Sequence, residues 1–491
     1  MPVTYGAGGV VTITLGALSL SASTLAENSA EGTAIGTIVG QTGGSTITMT
    51  DTAGGRFKLV GTAVQAGATA TDYETATSHN ITLRETLTGA TNTPRDTVLA
   101  IAVSDVAEGA PAATIDMNFA ANTITGAASF AAVLTCTRAS TGYARTVAGT
   151  LTSFAVNTLR RTDKGLLVEE ARTNYVLRSQ EFDNAFWTKG DVTITANAVA
   201  SPDGTTTAET MVSTGGAYVR IYGSTLTHPL GDFTYSIYAK AGTCSWLFLY
   251  SEVGTASFNL AAGTIGTVQT GAASIEALGS GWYRCSVRNL AFAAANVITP
   301  QVFLAPGDTP SGTPTTTPAG QTLHVWGAQV EAGTYPTSYI PTTTAAVTRA
   351  VDAVTITGAA DTILDGAAAS AVASMDVIPK TTQVSIVAGS GSVPLAKAIE
   401  TTVKTGTLEK TGLASAVTNA SKYGAAWTAA GGRSVTGQGL APATDAGTTA
   451  APASSRLGAT SSGTEAVDSY VQQLKLWNTR LSDANLQSAT T

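Results

Sequence analysis

Residues 233–242 read FTYSIYAKAG, and the order of residue types in this stretch decides the fold. Phe233, Tyr235, Ile237 and Ala239 share one face of an extended chain, while Thr234, Ser236, Tyr238 and Lys240 share the other. Side chains alternate with a period of two only in a strand. An apolar face backed by a polar one marks a strand half-buried in an antiparallel sheet. WYRCSVRN at 282–289 repeats the pattern, with Tyr283, Cys285 and Val287 set against Arg284, Ser286 and Arg288. Working outward, strands are read at TAIGTIVG (33–40), RFKLV (56–60), NITLRET (80–86) and TVLAIAVSDV (97–106). Others follow around 367–377, at KYGAAWT (422–428) and at SYVQQLKLW (469–477). Gly-rich turns such as GG at 43–44 and AGG at 53–55 separate them. The expectation is an all-β, multi-domain chain of antiparallel β-sandwiches or jelly rolls with very little helix.

Composition points the same way. Of 491 residues 43% are hydrophobic and only 12% charged. Thr, Val, Gly, Ser and Ala dominate, whereas the residues that populate surface helices are scarce. Lys plus Arg total 26 against 33 Asp plus Glu, for a net charge of −7. That balance excludes nucleic acid as an expected partner, since phosphate binding needs clustered Lys and Arg. No apolar run reaches the roughly 20 residues of a membrane span, so no membrane insertion is expected. VVTITLGALSLSAS at 10–23 is apolar, but the first basic residue is Arg56, so the positive region of an export signal is missing. It reads as an edge strand, in a protein synthesised in a cytosol. Cys136, Cys244 and Cys285 lack metal-ligand spacing. They are read as buried free thiols, with a Cys244–Cys285 bridge open if their strands are neighbours.

Breaks in the pattern divide the chain into a lead-in (1–19), a β unit (20–108), a connector (109–164), a long alternating unit (165–355) and a last sandwich (356–491). APGDTPSGTPTTTPAG (305–320) and APATDAGTTAAPASS (441–455) are read as loops inserted within β units. LSDANLQSA is a short helix with Ser482 as N-cap, Asp483 in its first turn and Leu481 and Leu486 forming a hydrophobic staple. At 165–174, GLLVEEARTN concentrates charge in a chain poor in it. Arg172 is expected to pair with Glu169 or Glu170, and Leu166 to Val168 to anchor a strand where the long unit begins.

The 20–108 unit resembles a cadherin-type repeat, through LAENSAEGTAIGTIVG (25–40), AGGRFKLVG (53–61), TDYETATSHNITLRET (71–86) and VSDV (103–106). The resemblance implies calcium at one end of the unit, at Glu27, Asp72, Glu74 and Asp105. The family's middle acidic pair is absent, ETLTGATNT standing in its place, and its last cluster is reduced to Asp105 and Glu108. The alternative reading is that these carboxylates cap turns. No other cofactor is expected.

From about 112 to 355 six ordered blocks resemble the fibre and spike proteins of tailed bacteriophages. They are GLLVEEARTN (165–174), SQEFDNAFWTK (179–189), SPDGTTTAETM (201–211), YSIYAKAGTCSWL (235–247), SGWYRCSV (280–287) and VWGAQVEAGTYPTSYIPTTTAAVTRAVD (325–352). The final unit resembles a laminin-G or concanavalin-type sandwich through YGAAWTAAGGRSVTGQG (423–439), SRLGATSSG (455–463) and YVQQLKLWNTRLSDANLQ (470–487). These resemblances imply a carbohydrate-binding-like jelly roll on a virion surface, made in the host cytoplasm, in contact with other virion proteins and host-surface polysaccharide. Phage fibres are commonly homotrimers, so a homo-oligomer is implied, although no coiled-coil heptads occur here.

Catalytic signatures are missing. His79, His228 and His324 lie far apart, and no G-x-S-x-G, H-E-x-x-H, P-loop or dinucleotide fingerprint is present. Carboxylate pairs suited to glycoside hydrolysis, Asp361 with Asp365 or Glu169 with Glu170, are not distinguished from other acids. The chain is therefore expected to be no enzyme. Sugar binding calls for flat aromatic faces beside hydrogen-bonding groups. Trp187, Trp282 and Trp326 fall inside the family blocks and read as core. Tyr218 and Tyr222 flank Arg220 on one face of YVRIY, Tyr238 shares the polar face of its strand, and Trp246 and Tyr250 follow; these six are the glycan-binding candidates. The competing functions are structural virion decoration and polysaccharide depolymerase.

Overall fold

The computed structural model describes residues 4–5, 11–73, 75–106, 110–227, 231–288, 297–309, 316–377, 384–385, 387–389, 396–398, 402–405, 408–410, 421–428, 431–446, 455–457 and 469–491. Strands dominate, and the described residues contain two short α-helices, Gly358–Leu364 and Asp483–Ala489. The protein is all-β. It divides into two compact units, Met1–Gly109 and Ala110–Thr491.

The first unit pairs two four-stranded sheets. One runs Thr24–Ala26, Arg95–Ser104, Ser78–Thr86, Thr46–Asp51, and the other Ser19–Leu20, Ala34–Val39, Ala63–Ala66, Phe57–Val60. Apolar residues at alternate positions, among them Leu25, Ile35, Phe57, Val64, Ile81, Leu83 and Ile101, form the core between them. Among the described residues of the 10–23 segment there are two short strands, Val11–Thr12 and Ser19–Leu20, rather than one continuous strand, and Ser19–Leu20 lies at the edge of its sheet. Between them Leu15 and Leu18 turn inward and are buried.

In the second unit, two six-stranded sheets form a sandwich. The first runs Trp187–Gly190, Arg220–Gly223, Gln301–Ala305, Trp246–Ser251, Gly254–Asn259, Thr264–Thr270. The second runs Val192–Val199, Ala208–Ser213, Thr322–Ala332, Phe233–Ala241, Trp282–Arg288, Ala272–Gly279. Ile221, Leu247, Leu249, Val302 and Leu304 of the first sheet meet Tyr235, Ile237, Cys285, Val287 and Val325 of the second in one core. The apolar faces read from FTYSIYAKAG and WYRCSVRN both point there. All three cysteines are free thiols, Cys244 and Cys285 buried.

The terminal sandwich draws on distant parts of the chain. Ser469–Trp477 pairs with Ala368–Val377, with Ile115–Asn118 and with Gly165–Val168. Leu134–Thr137 pairs with Ala353–Ile356 in the facing sheet. Strands from the expected connector (109–164) thus lie in the same sheets as strands from the expected last sandwich (356–491), and the long sandwich is an insertion between Val168 and Ala353. Hydrophobic pattern identifies a strand but not its partner, so pairing across some 300 residues left no mark in the sequence. Ala443–Asp445, expected as loop, extends the large sheet beside Arg433–Gly437. Ser482 Oγ accepts the Asn485 N–H at 3.2 Å and caps the final helix. Leu481 and Leu486 are buried together against Val372, Ala426 and Trp477.

Candidate functional site

The charges of GLLVEEARTN sit where the chain leaves the terminal sandwich and returns to it. Arg172 lies opposite Arg349 in a short antiparallel pair, and Asp352 N–H donates to Glu169 C=O at 2.9 Å. The two crossings therefore run side by side. Asp352 accepts from Arg138 Nη1 at 2.7 Å and from Arg160 Nη2. Glu169 Oε2 accepts from Arg160 Nη1 at 2.6 Å and lies 3.0 Å from Arg349 Nη1. All five side chains are buried. Burial works against the charge on Glu169, but the Arg349 and Arg160 guanidiniums and two Ser338 hydrogen bonds outweigh it and hold the carboxyl well below the usual carboxylate range. Arg172 pairs with Glu170 at 2.5 Å, at the rim of this cluster. The cluster is a clamp, with its charges answered by one another.

The glycan candidates gather elsewhere, on the outer face of the first six-stranded sheet. Alternation aims Ile221, Leu249 and Val302 into the core, so their neighbours point out. Register then places Tyr222, Gln301 and Tyr250 in one row and Arg220, Phe303 and Phe248 in the next. Trp246 continues the stripe beside Ala305. Arg220 donates to Gln301 Oε1 at 2.8 Å. Its guanidinium carbon lies 4.8 Å from the Tyr222 ring centroid, 5.3 Å from Phe303 and 5.5 Å from Tyr218. These distances suit cation–π attraction, which fixes the guanidinium and spreads the rings around it. Tyr218 is 50% exposed and Tyr250 41%. Tyr222 and Tyr250, separated by one strand, stand about 10 Å apart along the sheet. Trp246 is half-buried and rests on Phe248, Phe303 and Ala305.

Tyr238 does not join them. It is 2% exposed and packs edge-on against Trp326 at 5.3 Å and Tyr339 at 6.0 Å. Its exposure was expected from a polar-faced strand, but Phe233–Ala241 is central in its sheet and is covered on that face as well. Trp187, Trp282 and Trp326 are buried, each ring N–H donating to an internal oxygen. Gln301 joins the site without a signal in the sequence, while Phe303 and Phe248 share its face but are buried and support the stripe from beneath. The alternation of QVFLA puts Gln301 and Phe303 on one face, but only strand order makes them neighbours of Arg220.

In the first unit, Glu27 is buried and accepts Tyr73 N–H at 2.8 Å and Val106 N–H at 2.9 Å. Asp72 accepts the N–H and hydroxyl of Thr75 at 3.1 and 2.8 Å, and Asp105 is exposed. Glu27 and Asp72 accept backbone N–H groups, the role that the turn-capping alternative gives them. Glu74, Glu108, His228 and much of the 1–19 lead-in lie outside the described residues. Among the described residues no three His, Cys, Asp or Glu side chains group as metal ligands. Among them, too, no helix is long and apolar enough to cross a membrane.

The fold and the exposed aromatic face define a multi-sheet β-sandwich protein with a surface stripe of rings around one arginine. No known family model matches the chain, and no curated protein matches it. Among solved structures it is similar to the secreted serine protease VesC from Vibrio cholerae, at 11% identity and a TM-score of 0.12, over 64% of this chain and 44% of that one. The alignment thus spans less than half the length of that protease, and a likeness this slight describes neither fold nor activity.

Proposed function

We propose that the protein is a surface fibre or spike of a tailed-bacteriophage virion that attaches to host-surface polysaccharide by non-catalytic glycan binding. The observation that carries this reading is the convergence of Tyr218, Arg220, Tyr222, Trp246 and Tyr250, from two segments that are not adjacent in the sheet, on one outward sheet face. Sugar C–H faces pack on aromatic rings while hydroxyls take hydrogen bonds from guanidinium and amide groups, and this stripe offers both. The six ordered sequence blocks supply the virion context. Other virion proteins would anchor it, and a homo-oligomer, a trimer in the pattern of phage fibres, would present several copies. Modest single sites then suffice, because linked copies raise the effective concentration.

The test is retention of the full-length protein on immobilised host-envelope polysaccharide, with calcium and with chelator, followed by sizing of the glycan. Retention with unchanged chain length is expected. Loss in chelator would assign calcium a role in binding. Absence of retention would leave structural decoration, and shortened chains would make the protein a depolymerase.

A further inference from the structure

The second six-stranded sheet also turns a functional-looking face outward, toward the terminal sandwich, and a cleft of about 470 Å³ lies there. That volume falls within the range of small-molecule sites. Strand register sets its floor. Tyr238, Arg284 and Glu276 form one row, Ser286 and Ser274 the next, and Arg288 and Ala272 the third. One wall is the segment 334–338, and the other carries Lys164, Leu167 and Tyr470.

Three features separate this cleft from a packing gap. First, its wall is held in place by the buried clamp. Glu169 accepts the N–H and hydroxyl of Ser338 at 2.7 and 2.6 Å, and Glu331 those of Thr337 at 2.9 and 2.5 Å. A site whose walls are fixed before binding loses less entropy when a ligand arrives. Second, its charge opposes that of the chain. Arg145, Lys164, Arg284 and Arg288 line it against Glu169 and Glu276, in a protein of net charge −7. Both carboxylates are already answered, Glu276 by Arg145 and Glu169 by Arg160 and Arg349, and Arg284 lies 3.9 Å from Glu331, which leaves Arg288 as the guanidinium of the lining without a carboxylate among the described residues. Third, hydrogen-bond donors are in surplus. Arg288 is half-buried on the floor, and its guanidinium has no ion pair or hydrogen bond among the described residues. Buried Arg284, in contrast, is already engaged, donating to Thr337 C=O and to Ser236 Oγ at 3.1 Å. Beside them the Ser274 and Ser286 hydroxyls meet at 2.6 Å, and the half-buried Tyr335 ring lines the wall.

We infer that this cleft binds a carboxylate-bearing sugar residue, a hexuronate, with its carboxylate at Arg288 and its ring among the serine hydroxyls and Tyr335. A guanidinium matches a carboxylate bidentately, and hydroxyls and a tyrosine ring suit the remainder of a sugar better than a bare oxyanion. The inference deepens the glycan-binding reading and rests on it for the class of ligand, but it places a second, acid-selective site on the other side of the sandwich.

The test titrates digalacturonate, its neutral galactose counterpart and inorganic phosphate into the full-length protein by calorimetry. Digalacturonate is expected to bind at least about tenfold more tightly than the neutral disaccharide, the effect of one charged hydrogen-bonding partner. Arg288→Gln should weaken it by a similar factor. Ser274→Trp, at an exposed position on the edge strand of the floor, should block the cleft without disturbing the fold, as an unchanged melting temperature would show. Tyr218→Ala with Tyr250→Ala should leave digalacturonate binding intact, so failure of the aromatic face and failure of the cleft are separable. No digalacturonate binding, equal binding of the neutral sugar, equal competition by phosphate, or indifference to both cleft variants would overturn the inference.

Discussion

Asp352 shows how much a single residue carries here. It bridges Arg138 and Arg160, both fully buried, at the point where two chain crossings meet. Such a network is weak proof of net stability, because burying charge is costly, but removing one member strands the others without partners. Asp352→Ala is therefore expected to cost about 3–5 kcal/mol in denaturant unfolding of the second unit. A charge-preserving Asp352→Glu should cost less. Glu209 gives a pH signature of its own. Burial, and then the nearby Asp183 charge, push its carboxyl up to about 8. The folded state thus binds a proton that the unfolded state releases near the ordinary carboxylate range. Its contribution is full below that range and is lost as pH rises through about 8. Stability should fall across this window in the native protein, and Glu209→Gln should flatten the decline; an unchanged slope would remove Glu209 as its source. At this scale alternation settles burial, as for Cys285 and Ile237. It misled at Tyr238, since a polar-faced strand is wet only if nothing covers it. The Arg172–Glu170 pair followed from proximity, whereas the partners of Glu169 come from residues 160 and 349 and left no local trace.

Strands and turns were the most legible elements. Phe233–Ala241, Trp282–Arg288 and Ser469–Trp477 lie where periodicity put them, and the Ser482 cap announced the last helix. What periodicity cannot show is a bulge. Ser236 faces Gln329 but Tyr238 faces Trp326, so Thr322–Ala332 carries one extra residue there. Gly327 sits at the shift with φ +62°. A Cβ added there would come within 2.9 Å of the Tyr238 ring. The bulge brings Trp326, Tyr238 and Tyr339 together, which explains the Gly in VWGAQ. Gly327→Ala should lower stability by at least ~1–2 kcal/mol from its left-handed backbone alone. Loss of the Trp326 near-ultraviolet signal should accompany it, and a silent substitution would contradict the bulge. The aromatic stripe was half-legible for a related reason. YVRIY and the run from Trp246 to Tyr250 show which residues share a face, but not that the strand Gln301–Ala305 lies between them.

For the molecule as a whole, the insertion of one sandwich into another decides what can fold alone. Ser469–Trp477 has partners at Ile115–Asn118 and Gly165–Val168. A fragment of 356–491 lacks both and exposes a central strand edge, which invites aggregation. It is expected to be insoluble or unfolded, whereas 110–491 should fold cooperatively; a folded 356–491 monomer by circular dichroism would contradict this topology. That topology gives the second unit two outward sheet faces, one carrying the aromatic stripe and one forming the charged cleft. The central claim, that the exposed rings bind glycan, is tested most directly by retention of the Tyr218→Ala, Tyr250→Ala double variant on host-surface polysaccharide, beside the unaltered protein. The account predicts firm retention of the unaltered protein, loss of at least about tenfold in the variant from two truncated aromatic contacts, and glycan of unchanged length. Equal retention of both proteins, or retention of neither, would contradict it.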